Sequence, residues 1–526
     1  MKRVSKSVTA KKMSRYLSGM QVASCGYFQW KSAILFRSIP YDTFENKSFS
    51  RMKFLIFLFS LVLITACNNL AEDNPVLTIE GGQIRGVKAE TSGVIIYKGI
   101  PFAAPPIGEN RWREPQPVQA WEGVKIADSF GNAAVQAAHK EGEFYHKEFF
   151  SDGDAPFNED CLTLNIWTPA AGKTDAKLPV AIWIHGGAYT GGWGFEKEMD
   201  GQAWAERNVI LVTINYRLGI FGFLAHPELA KESPNKVAGN YGTLDQIAAL
   251  KWVHRNIEQF GGDPYKITIF GQSAGGASIK TLVASPLTKG LLSGAIIQSA
   301  GGMDKSGGDG IGDGSYEKAL STGKAIMDFG GYNTLEEMRA ASADEIFNLS
   351  TKYAEETKSW LLFTPVIDGY VSKENFSTAA LNGNIADIPY MIGFVSGDTQ
   401  MGAALGSAEA IADFCMARAD AGKNAYAYQF TRALPGDDAG AYHSSELWYI
   451  FNTLSRSWRP FIEEDYALSR IMTDAWCNFA KYGEPNKEGD KTWSQFTEDN
   501  KRFMVFGLDD NNKASAKMEK APLPAM

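Results

Sequence analysis

A serine set between small residues is the first group in this chain that could act as a nucleophile. Ile267 to Phe270 is a short apolar run, Gly271-Gln272-Ser273-Ala274-Gly275 follows it, and a helical pattern begins at Gly276. A G-x-S-x-G turn between a strand and a helix exposes a serine hydroxyl beside the free N–H groups of the helix N-terminus. The motif alone occurs by chance in many chains, but this placement predicts that Ser273 attacks an acyl carbon.

A serine nucleophile needs a base, and the chain has six histidines. In α/β-hydrolases the nucleophile is followed along the chain by the acid and then by the histidine. Only His443 follows Ser273. It lies in the loop Gly440-Ala441-Tyr442-His443-Ser444, after the strand-like run Ala425 to Phe430. Loops beyond late strands carry functional groups in this fold, so the sequence predicts His443 as the base.

The supporting acid must lie between the serine and the histidine, and two aspartates compete. Asp398 ends Val395-Ser396-Gly397-Asp398, directly after the apolar run Tyr390 to Phe394. Asp368 stands in Pro365-Val366-Ile367-Asp368-Gly369, and an Asp-Gly pair after a short apolar run is more often a turn. We predict Asp398 as the acid and keep Asp368 as the alternative.

A second glycine turn could stabilise the negative charge that forms during acyl transfer. Trp183-Ile184-His185-Gly186-Gly187-Ala188 ends another apolar run, Val180 to Ile184. Glycine leaves the backbone uncovered where an oxyanion must approach. The pattern predicts an oxyanion hole built from the N–H groups of Gly187, Ala188 and Ala274.

Short apolar strands that alternate with helical stretches must position these turns. One helix is predicted over Asp245 to Phe260, and Gly261-Gly262-Asp263-Pro264 ends it. Near-continuous apolar strands with helices between them indicate an α/β fold of the α/β-hydrolase type, a mostly parallel sheet covered on both faces, with long insertions. The strands are expected at Val76 to Ile79, Gly93 to Tyr97, Leu162 to Trp167, Val180 to Ile184, Val209 to Ile214, Ile267 to Phe270, Ala295 to Gln298 and Tyr390 to Phe394.

The N-terminal part of the chain has a different character. Residues 52–66 combine a basic start with a 13-residue apolar run from Phe54 to Ala66, which predicts a signal peptide because about 20 residues are needed to span a bilayer as a helix. Ile64-Thr65-Ala66-Cys67 resembles a bacterial lipobox, which implies cleavage before Cys67 and lipid on its thiol. Residues 1–51 are then a non-structural or untranslated extension with Met52 as the start. Residues 67–75 form a tether, and residues 76–526 form a single catalytic domain.

The net charge and the cysteine content argue against several classes of partner and cofactor. Residues 1–66 hold 11 of the 52 Lys/Arg and 2 of the 60 Asp/Glu, so the remainder carries a net charge of −17. An acidic body argues against nucleic acid or anionic lipid surfaces as partners. The cysteines after Cys67 are Cys161, Cys415 and Cys477, without metal-ligand spacing or close pairs. We therefore expect no cofactor, no metal and no disulfide framework.

Five segments match a known family over nearly the whole mature chain. They are Gly99-Ile100-Pro101-Phe102-Ala103, Glu159-Asp160-Cys161-Leu162-Thr163-Leu164-Asn165, Phe270-Gly271-Gln272-Ser273-Ala274-Gly275-Gly276, Gly440-Ala441-Tyr442-His443-Ser444-Ser445-Glu446 and Asn478-Phe479-Ala480-Lys481. The chain thereby resembles the type B carboxylesterase and cholinesterase-like family. The resemblance implies a serine ester hydrolase, and it also implies the acid, because Gly393 to Asp398 is similar to the family segment that ends in the catalytic Glu or Asp.

Departures from the family pattern also carry information. Cys161 matches a cysteine that is disulfide-bonded in eukaryotic members, but Ala134 stands where its partner is expected, so that bridge is absent. Asp398 replaces the commoner Glu, and Ala188 replaces the third glycine of the oxyanion loop. Gln272 stands where cholinesterases carry Glu, which argues against a cationic choline substrate.

The resulting prediction is hydrolysis of a small-molecule carboxylic ester through an acyl-enzyme on Ser273, without metal or cofactor. A specialised esterase for plant phenolic or acetyl esters is one alternative, and a non-catalytic binding module of the same family is another. The aromatic residues Tyr189, Trp193 and Trp448 lie near the motifs, and ordinary packing is the preferred interpretation for each. The expected location is the exported side of a bacterial membrane, with attachment through lipid on Cys67 alone.

Overall fold

The computed structural model describes residues 74–89, 93–305, 314–359 and 361–523. The predicted extension 1–51, the signal peptide 52–66 and Cys67 lie outside the described residues. Residues Pro75–Met526 cluster as one compact unit. Among the described residues, no helix is both long and apolar enough to cross a bilayer.

A large mixed sheet organises this unit. Its strands are β3 (Val87–Lys88), β4 (Ile95–Pro101), β6 (Thr163–Thr168), β7 (Leu178–Ile184), β8 (Ile210–Ile214), β9 (Gly262–Gln272), β10 (Gly294–Gln298), β13 (Tyr390–Val395), β14 (Ala425–Phe430), β15 (Arg502–Leu508) and β16 (Ala514–Lys520). They lie in the order β16-β15-β14-β13-β10-β9-β7-β8-β6-β4-β3. The strands from β15 through β8 in this order are parallel to their neighbours, and antiparallel pairs flank them at both ends.

Two smaller sheets stand apart from the large one. The first has the order β1-β2-β5, in which β1 (Val76–Ile79) pairs antiparallel with β2 (Gly82–Arg85), and β2 pairs parallel with β5 (Val124–Ile126). The second joins β11 (Gly314–Ser315) to β12 (Val366–Ile367). The predicted strand at Val76 to Ile79 therefore exists but belongs to a separate sheet.

Helices cover both faces of the large sheet, as its burial pattern shows. Val180, Ile182 and Ile184 pack in one apolar cluster, whereas Ala181 and Trp183 pack in another. Successive residues of a strand point to opposite faces, so both faces are buried. The helices are α1 (Phe144–Phe149), α2 (Gln202–Glu206), α3 (Gly219–Phe223), α4 (Pro227–Glu232), α5 (Tyr241–Asn256), α6 (Ala274–Ala284), α7 (Tyr316–Phe329), α8 (Leu335–Ala340), α9 (Ala343–Thr357), α10 (Phe376–Leu381), α11 (Ala403–Gly406), α12 (Ala408–Asp420), α13 (Leu447–Ile450) and α14 (Glu463–Tyr482).

The predicted α/β-hydrolase architecture is confirmed, with differences at element boundaries. Helix α5 begins at Tyr241 rather than at Asp245, and its last turn tightens into a 3₁₀ segment, Ile257–Phe260. Gly261 then ends it in the left-handed conformation (φ 85°), as predicted. Strand β9 begins at Gly262, before Pro264, because a register shift against β7 accommodates the proline.

Candidate active site

The backbone at Ser273 is strained, as the small residues on either side of it predict. Ser273 has φ 57° and ψ −124° and joins β9 to α6. A Cβ on Gly275 would lie 2.0 Å from the carbonyl oxygen of Ile184, and one on Gly271 would lie 2.7 Å from the same oxygen. Both contacts are with backbone, so only glycine fits. The N–H of Ser273 donates to the carbonyl of Gln298 (2.9 Å), which ties the turn to β10.

His443 and Asp398 lie together beside this turn. Nδ1 of His443 and Oδ1 of Asp398 are 2.6 Å apart, and Asp398 is fully buried. The other carboxylate oxygen of Asp398 accepts the N–H of Val395 at 3.0 Å. A carboxylate held in this way makes Nδ1 the protonated nitrogen and leaves Nε2 as the acceptor. The N–H of Gly397 donates to the carbonyl of Ala441 (2.9 Å), so the two loops are also joined through their backbones.

Asp368, the alternative acid, has other partners. Its Oδ1 accepts the N–H groups of Tyr370 (2.9 Å), Val371 (2.8 Å) and Ser372 (3.2 Å). Its Oδ2 accepts the side-chain amide of Asn240 at 2.8 Å. This carboxylate caps a turn after β12, so the structure brings Asp398 to His443 and does not bring Asp368 there.

Gln272 contacts the imidazole from the residue before the serine. Its Nε2 is 3.1 Å from Nε2 of His443 and 3.4 Å from Nδ1. An atom placed along the Nε2 lone pair would be much farther from Nδ1 than from Nε2. The amide therefore lies over the ring face, where an N–H can interact with the π system, and the lone pair stays open. Within the described residues Oγ of Ser273 makes no hydrogen bond. In many enzymes the hydrogen bond between the nucleophile and its base becomes short and well aligned only when substrate binds.

The predicted oxyanion loop lies against Ser273. A Cβ on Gly186 would lie 3.2 Å from Cβ of Ser273. Gly187 (φ 100°) and Ala188 (φ 54°) both adopt left-handed conformations. In the described part of the chain, neither residue's N–H donates a hydrogen bond to another protein group. The N–H of Ala274 is in the first turn of α6, where helical N–H groups lack intrahelical acceptors.

A third buried carboxylate, which the sequence did not single out for chemistry, lies behind the histidine loop. Glu446 is fully buried and accepts the side-chain amide of Gln298 at 3.3 Å. Burial, reinforced by the negative charge of Asp398, raises the pKa of Glu446 to about 7. The sequence feature that could have indicated this residue is its position three residues after His443, at the end of the motif Gly440-Ala441-Tyr442-His443-Ser444-Ser445-Glu446.

The other residues near the motifs have structural roles. Tyr189, Trp193 and Trp448 are all buried in apolar clusters, which confirms ordinary packing for each. His254 contacts the carbonyl of Pro264 through Nδ1 at 2.9 Å. Burial lowers the pKa of His185 to about 4, so this ring is neutral beside the oxyanion loop. Among the described residues, no three His, Cys, Asp or Glu side chains are grouped to hold a metal ion.

The fold and this arrangement define the class of protein. A serine on a strained strand-to-helix turn, a histidine paired with a buried aspartate and a glycine loop beside the serine all lie at the carboxyl ends of neighbouring strands of a mixed sheet. This is the architecture of an α/β-hydrolase.

Comparison with known proteins places the chain within that class. The model of the carboxylesterase family matches residues 73–413 and 407–523. Para-nitrobenzyl esterase of Bacillus subtilis is 31% identical over 85% of this chain and 98% of its own length. The solved structure of a thermophilic PNB esterase superimposes with a TM-score of 0.73 at 27% identity, over 84% of this chain and 97% of its own. The chain belongs to the carboxylesterase family, and it is a carboxylic ester hydrolase.

A further relative is more similar over a shorter segment. Fumonisin B1 esterase of Sphingopyxis macrogoltabida is 37% identical over 338 residues, which is 61% of this chain. The chain spans 56% of that relative's length.

Proposed function

We propose that Ser273, His443 and Asp398 form the catalytic triad of this esterase and that hydrolysis proceeds through an acyl-enzyme on Ser273. The observation that carries the proposal is the 2.6 Å contact between His443 and the fully buried Asp398, directly beside the strained turn at Ser273. A carboxylate on Nδ1 selects the tautomer whose Nε2 can remove the serine proton, and it stabilises the imidazolium that forms.

The reaction follows from this geometry in two steps. Nε2 of His443 takes the proton of Ser273 as Oγ attacks the ester carbonyl, and the N–H groups of Gly187, Ala188 and Ala274 stabilise the oxyanion. The proton then passes to the leaving alcohol, which departs and leaves the acyl group on Ser273. In the second step His443 takes a proton from water as the water oxygen attacks this ester, and the proton then passes to Oγ of Ser273 as the carboxylic acid is released. Each proton that His443 accepts is returned within the same half-reaction.

Removing the nucleophile or its base tests the proposal. We expect Ser273→Ala and His443→Ala each to lower kcat on a short-chain aryl ester by about 10⁴-fold or more, with the double variant little worse, because the triad acts as a unit. A fluorophosphonate should label the wild-type protein and fail to label Ser273→Ala. Labelling that persists in Ser273→Ala would contradict the assignment of the nucleophile. A folded wild-type protein that neither hydrolyses esters nor takes the label would favour the non-catalytic binding module.

We propose that the substrate is a small-molecule carboxylic ester. The relatives are named for substrates as different as fumonisin B1 and para-nitrobenzyl esters. A panel of aryl, alkyl, acetyl and phenolic esters, compared by kcat/KM, would identify the preferred acyl and alcohol groups. Preference for feruloyl or acetylated sugar esters by more than about 200-fold would favour the specialised plant-ester alternative, since such a ratio exceeds what one methylene in a pocket contributes.

We also propose that the enzyme is a lipoprotein held on the exported side of a membrane through Cys67. The support is the segment Ile64-Thr65-Ala66-Cys67 at the end of a basic and apolar leader. Acyl chains on the first mature residue would leave the acidic body facing solvent. Membrane fractionation tests this: Cys67→Ser should lose both processing and membrane association, whereas Asn69→Ser, two residues further along the chain, should change neither. Unaltered membrane association of Cys67→Ser would contradict the proposal.

A further inference from the structure

A short helix outside the proposed triad contacts the loop that carries His443. Helix α1 (Phe144–Phe149) lies far from that loop in sequence, yet the hydroxyl of Tyr145 donates to the backbone carbonyl of His443 at 3.3 Å. Burial, together with nearby carboxylates, raises the pKa of Tyr145 to about 12, so its phenol stays protonated as a donor. The hydrogen bond therefore persists across the working pH range of an esterase.

Glu148, one turn along the same helix, makes the second connection. Its carboxylate is buried and accepts N–H groups from Arg459 (2.8 Å), Trp448 (3.1 Å) and Trp458 (3.2 Å). Both carboxylate oxygens of Glu148 accept N–H groups. If a glutamine replaced Glu148, its NH₂ group would therefore face an N–H donor. The contacts hold the helix to the segments that follow the histidine.

Arg459 extends this connection to the other side of the histidine loop. Its side chain is fully buried and donates to the carbonyl of Pro435 (2.9 Å) and to the carboxylate of Asp437 (2.9 Å), both of which precede His443. Glu148 and Arg459 thus join the helix to both ends of the loop. A buried charge pair of this kind is strongly destabilising to break from one side only.

Aromatic contacts and the loop's own conformation complete the arrangement. Phe144 packs edge-on against Tyr442 with ring centroids 4.8 Å apart, and Phe149 stacks on Trp448 at 5.5 Å. Ser444, directly after the histidine, has φ 79°, which is unfavourable for a residue other than glycine. Such a conformation persists only where its surroundings hold it.

We propose that helix α1 sets the position of His443, with Tyr145 and Glu148 as positioning residues that act through the histidine loop. The inference rests on the proposed triad. Asp398 orients the ring through Nδ1, whereas Tyr145 and Glu148 determine where the backbone places Nε2 relative to Ser273. A displacement of about 1 Å at a proton-transfer site can cost roughly 10²-fold in rate, so even modest loosening of this loop should be measurable.

The first test removes a single hydroxyl. We expect Tyr145→Phe to lower kcat on an aryl ester by about threefold to tenfold, the range for loss of one hydrogen bond, with KM nearly unchanged. The rate of fluorophosphonate labelling should fall in proportion, because labelling depends on the same base. Tyr482→Phe, at a site that is 54% exposed, is the matched control and should retain wild-type kinetics.

The second test removes the negative charge of Glu148, which joins helix α1 to Arg459. Glu148→Gln should lower kcat by more than about tenfold, because its amide faces donors that the carboxylate accepted. Should this variant fail to fold, Trp458→Phe removes one donor at a partly exposed position and should give a smaller loss of kcat, again at constant KM.

The outcomes separate this inference from the proposed function. Activity that survives in His443→Ala would contradict the triad itself, whatever the helix variants do. If His443→Ala is inactive while Tyr145→Phe and the folded variant at Glu148 or Trp458 keep kcat within about twofold of wild type, the positioning role is wrong, since that change is below the contribution of one hydrogen bond. A loss expressed in KM alone would also contradict it.

Discussion

At the scale of single residues, hydrogen-bond partners separate two aspartates that the sequence leaves in competition. Asp398 and Asp368 both follow short apolar strands. Asp368 satisfies its carboxylate with three backbone N–H groups and an asparagine amide, which is the pattern of a turn. Asp398 has one backbone donor and directs its other oxygen to the imidazole of His443.

This difference leads to a paired prediction. Asp398→Asn should lower kcat by about 10²-fold to 10⁴-fold, because the amide no longer selects the correct imidazole tautomer or stabilises its cation. Asp368→Asn should lower the melting temperature slightly and leave kcat near that of wild type. Steady-state kinetics with thermal denaturation of both variants checks this. The reverse pattern in folded proteins would transfer the role of acid to Asp368 and leave Ser273 and His443 unaffected.

At the scale of elements, the position of Ser273 depends on how closely β9, β7 and α6 approach one another. Gly275 at the start of α6 sits against the last carbonyl of β7, that of Ile184. No side chain fits there without displacing backbone, and backbone cannot move independently of the sheet. The turn therefore requires glycine for reasons of tertiary packing as well as local conformation.

Gly275→Ala tests this requirement. We expect it to destabilise the fold by about 1 to 3 kcal/mol, as overpacking does, and to lower kcat because the turn that presents Ser273 must shift. Gly93→Ala is the control, since a Cβ there has no atom within 4 Å. Thermal melts and aryl-ester kinetics on both variants provide the measurement. Wild-type values for Gly275→Ala would show that the turn tolerates a Cβ and that the close approach is not required.

At the scale of the whole molecule, buried carboxylates should make stability depend on pH. The pKa of Glu446 is raised to about 7 by burial, and burial likewise raises the pKa of Glu196 to about 7. A raised pKa means that the fold favours the protonated carboxyl. The resulting stabilisation is fully present below the ordinary carboxyl pKa and is lost as pH rises through about 7, where a buried anion must form.

The wild-type melting temperature should therefore fall between about pH 5 and pH 8, and Glu446→Gln should reduce that fall. The contribution of one such group is on the order of 3 kcal/mol at most. Glu196 still titrates in the variant, so some dependence remains. Melting curves across this range check the prediction. Identical pH dependence in the two proteins would show that Glu446 does not titrate with a raised pKa.

The cysteines lead to a second prediction for the whole molecule. Cys161, Cys415 and Cys477 are free and buried in the structure, and burial raises the pKa of Cys477 to about 12. Buried thiols of this kind behave as small apolar groups. We expect dithiothreitol to leave the melting temperature unchanged. A clear decrease under reducing conditions would reveal a disulfide that contributes to stability.

The amino-acid sequence by itself determined those parts of the site that lie in continuous segments. A few consecutive residues specify each of these parts, namely the Ser273 turn, the Gly187 loop and the strands before them. This is possible because backbone conformation and strand propensity are local properties. Chain order alone selected His443. The resemblance to carboxylesterases rests on the same short segments, and the family is now established by comparison over most of the chain.

Only the tertiary structure decided which distant groups meet. Asp398 lies 45 residues from its histidine, and the choice between it and Asp368 depended on neighbouring strands that bring their loops together. Tyr145 lies 298 residues from His443, and no periodicity or motif indicates that contact. Glu446 is near the histidine in sequence, but its raised pKa depends on burial by other elements. Contacts and burial of this kind arise from packing across the sheet, which a local pattern does not encode.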